Sequence, residues 1–115
     1  MKRTKEQLDE ERRFRSIVQA DGLGLRVKVD DEGWPYVPGM NGRIETQCGP
    51  EYLYVFGTGG KTRQALLALP GVSKHQIGDH EWRLKFTFKI DVLAQVCGVI
   101  RARLKKKSIS KLSMA

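Results

Sequence analysis

The sequence predicts a single α+β domain in which an antiparallel sheet of about five strands carries helices mainly on one face, in the order α-β-(β)-β-β-α-β-β-α. Between residues 81 and 88, apolar side chains alternate with polar ones, which is the period of a half-buried strand. Turn dipeptides such as Asn41-Gly42 and Gly78-Asp79 separate strand-like segments and favour antiparallel pairing. Amphipathic helical patterns stand near both ends of the chain.

The first helix is predicted to begin after Thr4, because Thr4-Lys5-Glu6-Gln7 is a capping-box pattern, and to end at Asp21-Gly22. Its apolar patch is short and consists of Phe14, Ile17 and Val18. We therefore expect the helix to dock through its second half while its first turns stay in solvent.

Two strand-like segments follow. Residues 23–29 alternate apolar with small or basic side chains, which predicts a first strand with one polar face, and residues 30–33 form a turn. The segment from Trp34 to Gly39 contains Pro35 and Pro38, which cannot donate to a ladder. This segment is therefore predicted to be an edge strand or an ordered loop.

The next two strands are predicted at residues 43–48 and 51–56, the second apolar on both faces and therefore central. Tyr52, Tyr54 and Phe56 share one of its faces. Such a row resembles the platforms on which single-stranded nucleic acids stack, but we expect a helix to cover it.

A glycine-rich turn at residues 57–62 leads into a predicted helix from Arg63 to Leu69. The phosphate-binding loop of nucleotide hydrolases requires a glycine at position 55, which is Val55 here, so nucleotide hydrolysis is not expected. Backbone N–H groups at the helix start, with Lys61 and Arg63, are the groups of a local anion site. Alternatively, the glycines only turn the chain and Lys61 is solvated.

The segment from Val72 to Lys107 is predicted to form strand, turn, strand and a long helix that Asp91 caps. One helical stripe unites Leu93, Val96, Cys97, Ile100 and Leu104. We place the domain at residues 1–107 and a flexible tail at residues 108–115.

Charge is distributed unevenly along the 115 residues, whose net charge is +8. Residues 1–58 carry nine basic and ten acidic side chains, whereas residues 59–115 carry twelve and three. The second half therefore suits a polyanionic partner. Cys48 and Cys97 are expected to be small buried hydrophobes in a reducing, cytoplasmic compartment, and no apolar run is long enough to span a membrane.

Catalytic and metal-binding patterns are sparse. His75 and His80 flank the Gly78-Asp79 turn with Asp79 and Glu81 nearby, but no third histidine or cysteine is suitably spaced, so hairpin-tip polar side chains are expected there. A metal enzyme built on these residues is a third and weaker hypothesis. No serine lies in a nucleophile motif, and we expect neither catalysis nor a cofactor.

We therefore hypothesise a non-catalytic module that contacts the nucleic-acid backbone through its C-terminal half. The alternative is a protein-interaction factor, an inhibitor or adaptor, that docks on an acidic or nucleic-acid-binding surface of a larger partner. The candidate contact residues are Lys61, Arg63, Arg83, Lys85, Arg101, Arg103, Lys105, Lys106 and Lys107.

Overall fold

The computed structural model describes residues 2–20, 22–46 and 51–104. The elements in this part of the chain follow the predicted order and confirm the α+β class. They are α1 Lys5–Val18, β1 Lys28–Val29, β2 Pro35–Val37, β3 Arg43–Glu45, β4 Tyr52–Thr58, α2 Gly60–Leu67, β5 Val72–Ile77, β6 Glu81–Thr87 and α3 Ile90–Ile100. The predicted tail and Lys105 to Lys107 lie outside the described residues.

In the described part of the chain, six antiparallel strands form one sheet in the order β1-β2-β3-β4-β6-β5. The pairing of β4 with β6 is the longest and runs from Tyr52 opposite Thr87 to Thr58 opposite Glu81. The central position of β4 confirms the prediction made from its two apolar faces.

The hydrophobic core lies between one face of the sheet and the three helices. On that face Leu53 and Val55 of β4 are fully buried, together with Leu84 and Phe86 of β6. The helices contribute Phe14 and Val18 from α1, Leu66 from α2, and Leu93, Val96 and Ile100 from α3. All three helices therefore pack on the same side of the sheet.

Within residues 2–20, 22–46 and 51–104, no helix packs on the opposite face of the sheet. Tyr54 and Phe56 are half-buried there, and Tyr52 is 36% exposed. The expectation that a helix covers this aromatic row is therefore wrong. The helices pack instead on the face that carries Leu53 and Val55, because these side chains can be buried in a helix-sheet interface without burying a tyrosine hydroxyl.

Helix α1 begins as predicted. The Thr4 hydroxyl accepts a hydrogen bond from the Gln7 backbone N–H at 3.1 Å, and the Gln7 side chain accepts one from the Thr4 N–H at 2.9 Å. The Gln7 side chain also donates to the Glu32 carbonyl at 2.6 Å and is buried. The expectation that the first turns of this helix stay in solvent is therefore wrong at Gln7. The helix ends at Val18, with Gln19 as its C-cap.

Strands β1 and β2 differ from the predictions. The first strand is limited to Lys28–Val29, and β2 lies between β1 and β3 rather than at an edge. Pro35 is the first residue of β2 and Pro38 follows its last residue, so neither proline interrupts the ladder.

Helix α3 is shorter than predicted at its C-terminal end. Lys89 rather than Asp91 is the N-cap, and the Asp91 carboxylate lies in the first turn, where it accepts from the Val92 N–H at 3.0 Å. The helix ends at Ile100 because Arg101 adopts a left-handed conformation with φ 54°.

Beyond α3 the chain pairs with the loop after β2 instead of continuing the helix to Lys107. The Met40 and Asn41 N–H groups donate to the carbonyls of Arg101 and Ile100, and the Arg103 N–H donates to Pro38 at 2.7 Å. Leu104 therefore lies off the predicted apolar stripe and is 52% exposed.

Candidate nucleic-acid interface

The uncovered side of the sheet, here called the open face, carries alternating aromatic and charged side chains on four strands. The register forms two rows across the sheet. In one row Tyr36, Glu45, Tyr54 and Lys85 are successive neighbours on β2, β3, β4 and β6. In the second row Arg43, Phe56 and Arg83 are neighbours on β3, β4 and β6.

Cations lie over the rings of the open face. The Arg43 guanidinium carbon is 5.2 Å from the centroid of the Tyr36 ring and 5.4 Å from that of Phe56. Arg83 lies between Tyr54 and Phe56, at 5.4 and 5.6 Å from their centroids. All four distances are within the range of cation–π attraction. The arginines and rings thus form a continuous ladder across four strands, β2, β3, β4 and β6.

Lys85 extends this ladder to Tyr52, the first residue of β4. Its ammonium nitrogen is 4.7 Å from the centroid of the Tyr52 ring. Because Tyr52 is the most exposed ring of the ladder, this cation and its aromatic partner are both accessible to a ligand from solvent.

Glu45 is the carboxylate at the centre of the open face. Its Oε2 is 2.8 Å from Nη2 of Arg43, and its Oε1 is 3.2 Å from Nη2 of Arg83. Only 15% of the Glu45 side chain is exposed, so two cations share one largely shielded carboxylate. With Lys85, the open face therefore carries a positive charge excess.

The open face continues to β5 through His75. A register shift between Lys74 and Gln76 leaves His75 without a paired residue on β6. His75 Nε2 and the Tyr54 hydroxyl lie 3.1 Å apart, and the two ring centroids are 4.6 Å apart. Within residues 2–20, 22–46 and 51–104, no group of three or more His, Cys, Asp or Glu side chains is placed to hold a metal ion.

The glycine-rich turn forms a tight corner between β4 and α2. Gly59 is the N-cap with φ 97°, and the helix begins at Gly60, three residues before the predicted start. The Trp82 indole donates to the Gly59 carbonyl at 3.0 Å. Lys61 is exposed and Arg63 half-buried in the first turn of this helix.

A shallow groove of about 500 Å³ adjoins the open face. Tyr36, Arg43 and Phe56 line one side, and the groove reaches Met40 and the start of α2 at Thr62. Arg101 stands beside this groove, because its Nη1 contacts the Met40 sulfur at 3.8 Å.

The cations predicted from the sequence thus occupy three places. Arg83 and Lys85 lie on the open face, Lys61 and Arg63 lie in the first turn of α2, and Arg101 and Arg103 follow α3. Lys105, Lys106 and Lys107 lie outside the described residues. Three members of the open face were not predicted from the sequence: Tyr36, Arg43 and Glu45.

The sequence contains a pattern that assigns these three residues to the polar faces of their strands. Arg43 and Glu45 alternate with buried Ile44 and Thr46, and Tyr36 alternates with buried neighbours in the same way. Period-two alternation assigns them to a polar face, but only strand order and register place that face beside β4.

Among the residues that the structure describes, Cys97 and Glu11 have pKa values shifted by their surroundings. Burial raises the pKa of the Cys97 thiol to about 12, so the thiolate nucleophile is scarce at neutral pH. Hydrogen bonds from Arg15 and Arg3 hold the pKa of the Glu11 carboxyl below its ordinary value. Neither group lies on the open face, and Cys48 lies outside the described residues.

The fold and the site define a small α+β protein whose antiparallel sheet has one helix-covered face and one open face of aromatic rings and cations. Comparisons with protein-family models, with curated protein sequences and with solved structures each yield no match for this chain. None of the helices described is long and apolar enough to cross a membrane.

Proposed function

We propose that this protein binds single-stranded nucleic acid on the open face of its sheet and does not itself catalyse a reaction. The observation that carries the proposal is the ladder in which Arg43, Arg83 and Lys85 lie over rings of an uncovered sheet. Unpaired bases stack on aromatic rings and guanidinium planes, and the cations attract the phosphates between them.

The shape of the open face favours single strands over duplexes. Its rings are flush with a sheet surface, and the bases of a duplex are already stacked on one another and present only their edges in the grooves. A single strand can turn its bases toward Tyr54 and Phe56 while its phosphates lie against the cations of the open face. The groove beside Met40 then offers a path toward Arg101 and the first turn of α2.

The proposal is tested by fluorescence-anisotropy titration of labelled single-stranded RNA, single-stranded DNA and duplexes of about 12 nucleotides. We expect single strands to bind more tightly than duplexes of equal length. If three open-face cations each contact a phosphate, the logarithm of the binding constant falls with the logarithm of salt concentration with a slope of about −2. Absence of binding at low salt removes the proposal.

A matched pair of variants assigns binding to the open face. Arg83→Gln removes a cation that lies between two rings, whereas Lys74→Gln removes an exposed cation of β5 that is paired with core-facing Leu84. Both variants lose one positive charge. We expect Arg83→Gln alone to weaken binding strongly, and equal losses in both variants would assign binding to net charge instead.

An acidic protein surface is the second candidate partner, because arginine and tyrosine are the residues that dominate protein–protein hot spots. On this alternative the chain is an inhibitor or adaptor of a larger protein. It predicts one protein partner that Arg83→Gln releases in a pull-down, and no binding of oligonucleotides by the isolated chain.

A further inference from the structure

A further group of cations lies at the β1 edge of the open face, beyond the ring of Tyr36. Lys28 of β1 is paired with Tyr36 of β2, and residues paired directly across antiparallel strands lie on the same face of a sheet. Arg26 and Lys28 alternate with Leu25 and Val27, which pack against the core. Both cations therefore lie on the side of the sheet opposite the helices.

The segment after α3 brings Arg103 to the same edge. The Arg103 N–H donates to the Pro38 carbonyl at 2.7 Å, and the Arg103 carbonyl accepts from the Arg26 N–H at 2.9 Å. Residues 102–104 thus lie between the segment that precedes β1 and the segment that follows β2. The side chain of Arg103 is exposed there. Arg26, Lys28 and Arg103 are here called the edge cations.

The edge cations are not neutralised by carboxylates of the described chain. None of the ion pairs within residues 2–20, 22–46 and 51–104 includes an edge cation. By contrast, Arg43 and Arg83 of the ladder share the carboxylate of Glu45. Asp30, which follows β1, accepts two backbone N–H groups of the next turn. Because neighbouring like charges repel one another on a sheet, an anion can bind the edge cations without displacing a protein carboxylate.

The surroundings of the edge cations suit phosphates rather than bases. Residues 22–30 and 101–104 contain no aromatic side chain, so a base that passes beyond Tyr36 has no further ring to stack on. Guanidinium and ammonium groups bind phosphate oxygens strongly. The row from Lys85 to Lys28 crosses five strands, which is about 19 Å at about 4.8 Å between neighbouring strands. The edge cations therefore stand at one end of an extended track.

We infer that the edge cations form a phosphate subsite for the backbone of a bound single strand, on the stretch of nucleotides that follows the last stacked base; the inference rests on the proposed function. The rings of the ladder hold bases, and the edge cations hold the adjoining phosphates regardless of the bases attached to them. The subsite thus lengthens the contact with the strand without adding sequence preference.

The test uses the full chain and oligonucleotides that separate bases from phosphates. The reference strand is a thymidylate of about six nucleotides, and a second strand adds about six abasic nucleotides at its 5′ or its 3′ end. We expect the abasic tail at one of the two ends to tighten binding at least about fivefold at low salt. A tail whose phosphates are replaced by neutral methylphosphonates should give no gain.

Salt dependence counts the phosphates that the tail contributes. If each of the three edge cations contacts one phosphate, the abasic tail steepens the slope of the logarithm of the binding constant against the logarithm of salt concentration by about 2. The comparison of tails leaves the protein unchanged, so it does not depend on the folding of any variant.

A pair of double variants assigns the gain to the edge cations. Arg26→Gln combined with Lys28→Gln should abolish most of the gain from the tail. Lys5→Gln combined with Lys74→Gln is the matched control, since Lys5 is exposed on α1 and Lys74 is paired with core-facing Leu84. Both double variants lose two positive charges, and we expect the control to keep the gain. The ratio of tailed to untailed affinity is measured within each variant, and thermal unfolding verifies that both are folded.

The outcomes separate the inference from the proposed function. Failure of a thymidylate of about 12 nucleotides to bind removes the proposed function. If that strand binds and neither abasic tail adds affinity, the phosphate subsite alone is overturned. A gain that persists with the neutral tail, or in the variant that lacks Arg26 and Lys28, also overturns it. Equal losses of the gain in both double variants would assign the gain to net charge instead.

Discussion

Arg83 lies over the ring of Tyr54 on the neighbouring strand, 5.4 Å from the ring centroid. The pair lies on the open face of the sheet, where a base that stacks on Tyr54 also contacts the Arg83 guanidinium. Stacking and charge neutralisation therefore act on the same nucleotide.

Tyr54→Ala should weaken the binding of single-stranded oligonucleotides by about 5- to 150-fold, because one stacking ring contributes about 1–3 kcal/mol. The measurement is an anisotropy titration at fixed salt. Tyr54→Phe is the matched control, since it keeps the ring and removes the hydroxyl that contacts His75. If Tyr54→Phe loses as much affinity as Tyr54→Ala, the hydroxyl rather than the ring carries the effect.

Gly57→Ala should destabilise the fold by about 1–3 kcal/mol. A Cβ at Gly57 would lie 2.7 Å from Cη2 of Trp82, whose indole is held by the Gly59 carbonyl. Gly98→Ala is the control, because a Cβ there meets open space within α3 and should stabilise the helix by about 0.5–1 kcal/mol. Urea denaturation measures both, and an unchanged midpoint for Gly57→Ala would contradict the close packing of the ring.

Glu11 should make stability depend on pH in the acid range. Arg15 and Arg3 lower the pKa of its carboxyl in the folded state. Its contribution is therefore complete above the ordinary value of 4.5 and is lost as pH falls through the lower folded-state pKa. Urea midpoints measured between about pH 6 and about pH 3 should fall less steeply in Glu11→Gln than in the parent chain. Parallel curves would show that the ion pairs contribute nothing to folding.

Arg101→Gly should stabilise the fold by about 1 kcal/mol, because glycine adopts the left-handed conformation of this position without steric cost. Arg101→Gln removes the same charge and keeps the Cβ, so it should not stabilise the fold.

If Arg101 contacts a phosphate, both variants reduce the salt dependence of oligonucleotide binding by about 0.7 in slope. A reduction in only one of them would argue against a charge effect.

Local patterns in the sequence were sufficient for the class of fold and for several elements. The capping box at Thr4 and Gln7, the alternation in β6 and the two apolar faces of β4 each describe a neighbourhood of a few residues. Local hydrogen bonds and side-chain direction decide such features, so they can be read from residues close in sequence.

The end of α3 could not be predicted in the same way. Residues 101–107 are basic and compatible with a helix, but the carbonyls of Ile100 and Arg101 accept from Asn41 and Met40, about 60 residues earlier in the chain. Hydrogen bonds from Met40 and Asn41 therefore take the place of those that a longer helix would form. Periodicity within the helix contains no information about that partner.

By itself, the amino-acid sequence determined which side chains of each strand share a face, because alternation follows from the geometry of one extended chain. Only the tertiary structure decided that the helices cover the face that carries Leu53 and Val55, and that Arg43 and Glu45 lie beside Tyr54 and Arg83. Strand order and register result from the packing of the whole core, and they bring together residues that no local pattern connects.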